Sequence, residues 1–253
     1  MIRRFDKLAK ALAPAIALAM AAGVAGCDKA HVTIDGEEGK PLSELDLTGT
    51  PPHELVLLGP DEVHVTPGDK LAITVEGDQE ARDQLRFTLK DGSLGILRKD
   101  KVFSRTDKLA VITVTMPAPR EMTMAGSGKI QAAAMDRAAK VTIAGSGTIE
   151  TPNLSADKLD LTIAGSGDYR GAGNVKALDL TIAGSGSAAM DALRAETAKV
   201  SIAGSGSTAF SSDGEVEASI VGSGNITVKG HARCTLSALG SGKLTCETVK
   251  TKD

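Results

Sequence analysis

From residue 122 onward the chain alternates apolar and polar positions in short bursts, and each burst ends in the same tripeptide. Gly-Ser-Gly begins at Gly126, Gly145, Gly165, Gly184, Gly204, Gly222 and Gly240. Its closing glycines are Gly128, Gly147, Gly167, Gly186, Gly206, Gly224 and Gly242. Four residues before each copy stand Met122, Val141, Leu161, Leu180, Val200, Ala218 and Leu236, and two before stand Met124, Ile143, Ile163, Ile182, Ile202, Ile220 and Ala238. Between these apolar columns lies a hydroxyl column, Thr123, Thr142, Thr162, Thr181, Ser201, Ser219 and Ser237. A period of two with one apolar face predicts a strand. The glycines let the backbone turn sharply after it, and a second apolar stretch follows, as in Thr148-Ile149-Glu150. Each repeat therefore reads as two short strands and two turns.

A recurrence of about 19 residues, held nearly constant through every copy, means one unit stacked on copies of itself. Helical repeats are excluded, because two interior glycines would cost a helix about 2 kcal/mol relative to alanine. An antiparallel meander with Gly-Ser-Gly hairpins stays open, since such turns suit hairpins. The near identity of Val-Thr-Ile-Ala, Leu-Thr-Ile-Ala and Val-Ser-Ile-Ala favours like stacked upon like. The expected fold is all-β, a parallel β-helix with one repeat per turn.

Composition narrows the core. Aromatic residues are 2% of the chain, with no Trp and the single Tyr169, so small aliphatics must fill the coil. The formal net charge of -3 offers no basic surface for nucleic acid.

The N-terminus carries a second signal. Arg3, Arg4, Lys7 and Lys10 precede an apolar run over residues 11–25, long enough for a secretory h-region and short for a membrane span. The run ends in Val24-Ala25-Gly26-Cys27, which resembles a bacterial lipobox. The resemblance implies a signal peptide over residues 1–26, lipid attachment at Cys27, and anchoring of the protein to a membrane of the cell envelope through its N-terminus. The alternative is an ordinary signal peptide with an incidental cysteine. Removing that segment would take away Arg3, Arg4, Lys7 and Lys10 together with Asp6, and so shift the formal charge from -3 to -6. Residues 27–52 are polar and aperiodic, with Gly36, Gly39 and Pro41, and read as a tether lifting the domain from the membrane. An irregular strand at His31 to Ile34 is the competing reading there. Asp28 resembles an inner-membrane retention signal, a rule that does not hold across bacteria, so the leaflet stays open.

A single domain is expected over residues 53–253, with irregular turns over 53–115 and Gly-Ser-Gly repeats over 116–250. The irregular part still alternates, as in Val63-His64-Val65-Thr66-Pro67-Gly68, Ile73-Thr74-Val75-Glu76-Gly77-Asp78, the Asp91-Gly92-Ser93-Leu94 turn, and Ile112-Thr113-Val114-Thr115-Met116-Pro117. In this order, followed by serial Gly-Ser-Gly corners, these segments resemble the head GIN domain family (DUF2807 type), grouped with auto-transporter adhesins. The resemblance implies a parallel β-helix in the cell envelope, and the adhesin label rests on shape. A literal autotransporter is not expected, because the short stretch after Gly240 holds no run of strands for a membrane barrel.

Candidate chemistry is thin. Ser127 and its counterparts do not lie in Gly-x-Ser-x-Gly, and one serine per corner is what a repeated turn yields. The glycines form neither a dinucleotide fingerprint nor a phosphate loop, so no cofactor is implied. After the corner stand Lys129, Thr148, Asp168, Ser187, Ser207, Asn225 and Lys243, which is no calcium ladder, and His31, His53, His64 and His231 lack metal spacing. Cys234 and Cys246 fall in inward columns, where a disulfide and two buried thiols are both admissible.

Two classes of function remain. The favoured one is a non-catalytic, lipid-anchored envelope protein presenting a flat ladder, the hydroxyl column included, to a polymer or protein ligand. The alternative is a polysaccharide lyase or hydrolase on a β-helix. That would call for clustered carboxylates and aromatic sugar platforms, and here charges scatter while aromatics are nearly missing.

Overall fold

The computed structural model describes residues 33–34, 36–99 and 108–247. Cys27 and residues 1–26 lie outside them. The chain is a parallel β-solenoid. Strands β1 (Glu54–Gly59), β2 (Glu62–Pro67) and β3 (Ala72–Gly77) are followed by helix α1 (Gln79–Gln84), then β4 (Leu85–Lys90), β5 (Ser93–Arg98) and β6 (Ala110–Met116). The repeats contribute β7 (Glu121–Gly126), β8 (Lys129–Ala132), β9 (Ala138–Gly145), β10 (Thr148–Gly165), β11 (Asp168–Gly184) and β12 (Ser187–Gly204). The last coils hold β13 (Ser207–Ser212), β14 (Glu215–Gly222), β15 (Asn225–Lys229), β16 (Arg233–Gly240) and β17 (Lys243–Glu247).

Register is the one the columns demand. Ile143 pairs with Ile163, Ile163 with Ile182, Ile182 with Ile202 and Ile202 with Ile220, all in parallel. These isoleucines are at most 2% exposed, so each coil buries the side chain its neighbour needs. The corners stack in the same way. The Gly126 carbonyl accepts the Ser146 N–H at 2.9 Å, and the Gly145 carbonyl accepts that of Ser166 at 2.9 Å. A second line runs from Thr148 N–H to the Gly128 carbonyl and from Asp168 N–H to that of Gly147.

The two glycines of a corner serve different ends. Gly165 takes φ +117°, and a Cβ on it would lie 2.6 Å from the Gly145 carbonyl oxygen. Gly167 stays outside the positive-φ region, and it is space that excludes a side chain there, because a Cβ would meet Ile143 Cγ2 at 2.5 Å. The first glycine answers to backbone shape and the second to packing.

Three features depart from the sequence reading. Each coil has three sides rather than two. In β10 inward residues step by two through Ile149 and Thr151, skip to Leu154 and Ala156, then skip again to Leu159, Leu161 and Ile163. The third side was hidden because its inward pair changes from coil to coil, Leu154 and Ala156 giving way to Gly173 and Val175 and then to Leu193 and Ala195.

The order of coils in space also differs from the order in sequence. β1 pairs with β5 on one side and β7 on the other, while β2 lies between β6 and β8. The coil formed by β5 and β6 is thus stacked outside β1 and β2, and the chain then returns past them to begin the repeats. On that outer coil β3 runs antiparallel to β6 and β4 antiparallel to β5, closing the N-terminal end with the pairing that the repeats themselves reject. Helix α1 links the two, its N-terminus capped by Asp78, whose Oδ1 accepts the N–H groups of Glu80 and Ala81 at 2.9 and 3.2 Å. Gly59 pairs with Gly126 at φ +134°, so Gly59-Pro60-Asp61 is the first corner of the ladder without its tripeptide.

The third departure concerns the tether. Its described part is docked on the domain. Ile34 is buried beside Leu58, Leu97 and Ala125. Lys40 and Phe87 exchange backbone hydrogen bonds at 2.9 and 2.7 Å, and Leu42, Leu45 and Leu47 pack on the main core. Polar composition concealed four well-spaced aliphatics that together repay the ordering of this segment.

Candidate functional site

One flank of the solenoid, the one that ends at the corners, repeats itself on its outer surface. Its hydroxyl column runs in register from Thr123 through Thr142, Thr162, Thr181, Ser201 and Ser219 to Ser237. Nearer the corner is a small apolar column, Ala125, Ala144, Ala164, Ala183, Ala203, Val221 and Leu239, which continues upward into Leu58 and Leu97. The corner serines form a third line, exposed at Ser127, Ser146, Ser166, Ser185, Ser205, Ser223 and Ser241. Strand spacing places successive hydroxyls about 4.8 Å apart along the axis. Among the described residues, no hydrogen bond within the protein engages the side-chain oxygens of Thr142, Thr162, Thr181, Ser201, Ser219 or Ser237.

Exposure along this flank is uneven. Thr123 and Ala125 are buried and the Ile34 segment packs on this end, whereas Val221 and Leu239 are 43% and 71% exposed at the other. The free part of the flank therefore begins near Thr142 and runs to the last coil.

The neighbouring flank is held by ions instead. Lys129 lies 3.1 Å from Glu150 and 3.9 Å from Glu62, and Arg170 is 3.0 Å from Glu150 on its other side. Burial alone would raise the Glu150 carboxyl, but Lys129 and Arg170 together hold it below its ordinary range. Opposite charges directly across parallel strands hold register rather than a ligand. A shallow groove of 270 Å³ on the third side, bordered by Arg137, Asp157, Lys176 and Arg194, follows the same logic. Lys176 reaches Asp157 at 2.7 Å, and Arg194 is paired with Asp213.

A buried pair joins the outermost coil to the one beneath it, at the place where no Gly-Ser-Gly corner links β5 to β6. Asp61 accepts Arg98 Nε at 2.8 Å and Nη2 at 2.6 Å, and its Oδ1 also accepts the Ala110 N–H at 2.9 Å. Arg98 donates further to the Lys108 carbonyl, and its hydrogen bond to Asp61 raises its pKa against the opposing effect of burial. Sequence reasoning missed this pair, since the two residues are separated by 37 positions and share no motif.

The remaining candidates fall apart or fall outside. His64 sits 3.3 Å from Glu62 and His231 3.5 Å from Asp213, while His31 lies outside the described residues. Among the described residues no three His, Cys, Asp or Glu side chains gather to hold a metal. Cys234 and Cys246 are joined by a disulfide across the last coil. The bond runs within one coil and not between stacked coils, linking the column that precedes the corner to the one that follows it. No helix among the described residues is long and apolar enough to cross a membrane.

Comparison with known proteins agrees with this architecture. The family model described as "Putative auto-transporter adhesin, head GIN domain" matches residues 51–232. A search of curated proteins by sequence finds no match. Among solved structures, a putative lipid binding protein from Parabacteroides distasonis is 23% identical, with a TM-score of 0.62 over 79% of this chain and 94% of that one. A putative adhesin from Bacteroides fragilis is 19% identical, with a TM-score of 0.65 over 79% and 93%. One from Parabacteroides merdae is 18% identical, with a TM-score of 0.60 over 80% and 94%. At these identities the likeness is one of fold.

Proposed function

Because this chain belongs to the head GIN domain family of putative auto-transporter adhesins, we propose that it is a non-catalytic envelope protein, anchored through a lipid on Cys27, whose hydroxyl and alanine flank binds a polymer or a protein surface. One observation carries the reading. Inward columns of a solenoid repeat because packing requires it, but outward columns are free to drift from coil to coil. On the ionic flank they do drift, from Lys129 through Thr148, Asp168, Ser187, Ser207 and Asn225 to Lys243. On the candidate flank the hydroxyl and corner-serine columns persist through seven coils, and the column between them is alanine through five before Val221 and Leu239. A flat surface with regularly spaced, unsatisfied hydroxyls and little side-chain entropy to lose suits an extended ligand that repeats along the axis.

The enzyme alternative finds no support in the geometry. The three largest fully buried side chains, Tyr169, Phe87 and Phe210, are aromatic and offer no exposed platform for a sugar, and of the carboxylates lining the groove Asp157 is engaged by Lys176.

The test is co-sedimentation of the mature chain, carrying Cys27→Ser for solubility, with insoluble envelope polysaccharide. Thr162→Lys with Thr181→Lys should abolish pelleting at an unchanged melting temperature. Equal binding by the double variant would refute the assignment of this flank, and release of soluble sugar would favour the enzyme. Anchoring is tested apart from binding, since Cys27→Ser should move the full-length protein from the membrane to the soluble fraction.

A further inference from the structure

We infer that a leash of only six residues confines the N-terminal end of the solenoid to within about 25 Å of the bilayer surface. The inference rests on the lipid anchor at Cys27 proposed above and goes beyond it by fixing how far the domain can stand from the membrane.

The polar stretch before the first strand would act as a long spacer if it were free. It is spent on the domain instead. Ile34, 7% exposed, sits over Gly95, where a Cβ would meet its Cδ1 at 2.5 Å. Glu37 is ion-paired with Lys90 at 3.0 Å, Lys40 is paired with Phe87 through both backbone groups, and Leu42, Leu45 and Leu47 are packed on the core. What remains between Cys27 and Ile34 is the six residues 28–33. Whatever path they take, seven Cα–Cα steps span at most ~25 Å. By contrast, the coils from the outermost one, formed by β5 and β6, to the last, formed by β16 and β17, are eight strand steps apart, about 40 Å along the axis. The Ile34 end is thus confined near the headgroups, and the last coil is not.

Charge decides what kind of hold this is. Residues 33–99 carry 14 Asp and Glu against 7 Lys and Arg, while residues 108–247 carry 13 of each. The end nearest the membrane is the acidic one, so anionic headgroups repel it within a Debye length of about 10 Å. Proximity comes from the leash and not from adhesion.

The experiment uses the full lipidated chain in phosphatidylcholine vesicles with an acceptor dye on the headgroups. A donor dye is placed on a cysteine introduced by Ser43→Cys, at the N-terminal end, or by Thr245→Cys, in the last coil. Energy transfer should be several-fold stronger from position 43, and inserting twenty Gly and Ser residues between Asp28 and Lys29 should reduce it several-fold. Anionic lipid at low salt should reduce it as well. Transfer from position 43 that is no stronger than from 245, or that ignores the insertion, overturns the short leash. Mass spectrometry of the N-terminal peptide separates the two readings: without diacylglycerol on Cys27 the anchor itself falls, and with it present a negative result counts against the leash alone.

Discussion

The ring of Tyr169 fills the space that a side chain at position 171 would need. A Cβ on Gly171 would lie 2.7 Å from Tyr169 Cε1 and 2.9 Å from its hydroxyl. The phenol, wholly buried, is 2.5 Å from the Thr151 hydroxyl in the coil above. Successive coils hold Ile149 with Thr151, Tyr169 with Gly171, Ala188 with Met190, Thr208 with Phe210 and Ile226 with Val228 at these two inward positions. In three of these coils a large residue in one column is matched by a small one in the other, Tyr169 with Gly171, Met190 with Ala188 and Phe210 with Thr208. Gly171→Val should therefore destabilise by ~1–3 kcal/mol through overpacking, and Tyr169→Leu should recover part of the loss. Additive losses in urea unfolding would show that the two positions do not share a volume.

Burial pushes the Tyr169 phenol up to about 12, the Thr151 hydrogen bond opposing it in part. The unfolded chain titrates near pH 10, so the neutral ring supports the fold fully below pH 10 and that support is lost as pH rises through the folded value. The total is of the order of 2–3 kcal/mol. Between pH 9 and 11.5 the wild type should lose more stability than Tyr169→Phe, and parallel pH profiles of the two urea midpoints would contradict this.

At the corner, Gly165→Ala should cost more than about 1 kcal/mol, since it combines a positive φ with a backbone clash. Gly167→Ala should also destabilise, by crowding Ile143. Ser166→Ala should leave the melting temperature unchanged, because the corner uses the serine N–H and not its hydroxyl. A clear drop in melting for the serine variant would mean that the side chain holds the turn.

Asp61→Ala strips Arg98, itself 7% exposed, of its counter-charge and orphans the Ala110 N–H. The expected cost is ~3–5 kcal/mol, read as a shift in the denaturant midpoint. Asp61→Asn, which keeps one acceptor, should fall between. A midpoint within experimental error of wild type would show that the pair is dispensable.

Reducing the Cys234–Cys246 bond should loosen the last coil, which lacks a stacked neighbour among the described residues. Closing a loop of 12 residues is worth about 3 kcal/mol. Hydrogen exchange over residues 233–247 should accelerate on reduction while the isoleucine ladder above stays protected. Uniform acceleration along the chain would instead make the bond a global support.

The repeats were legible because the corner imposes the same two demands on every coil, a positive φ at Gly165 and room beside Ile143 at Gly167, and only glycine meets both. The cap was not legible for the opposite reason. β5 and β6 satisfy β1 and β2 from outside, so the partners of Leu55 and Val63 lie far along the chain, with Leu94 and Ile112. Asp61 and Arg98 carry no pattern because a single ion pair replaces a repeated corner. The candidate flank was readable as a column of Thr and Ser, but which part of it is free depends on where Ile34 lands, and one isoleucine in a polar stretch gives no sign of that.

The interleaved coil has a consequence for how such a chain can change over generations. From β9 onward each coil touches only the one before and the one after, so an in-frame duplication or loss of about 19 residues yields another well-formed solenoid. The β1 to β6 segment offers no such freedom, because removing β1, β2, β5 or β6 deprives two other strands of a neighbour at once. Variation in length is therefore confined to one end of the molecule, and the closed cap is inherited whole.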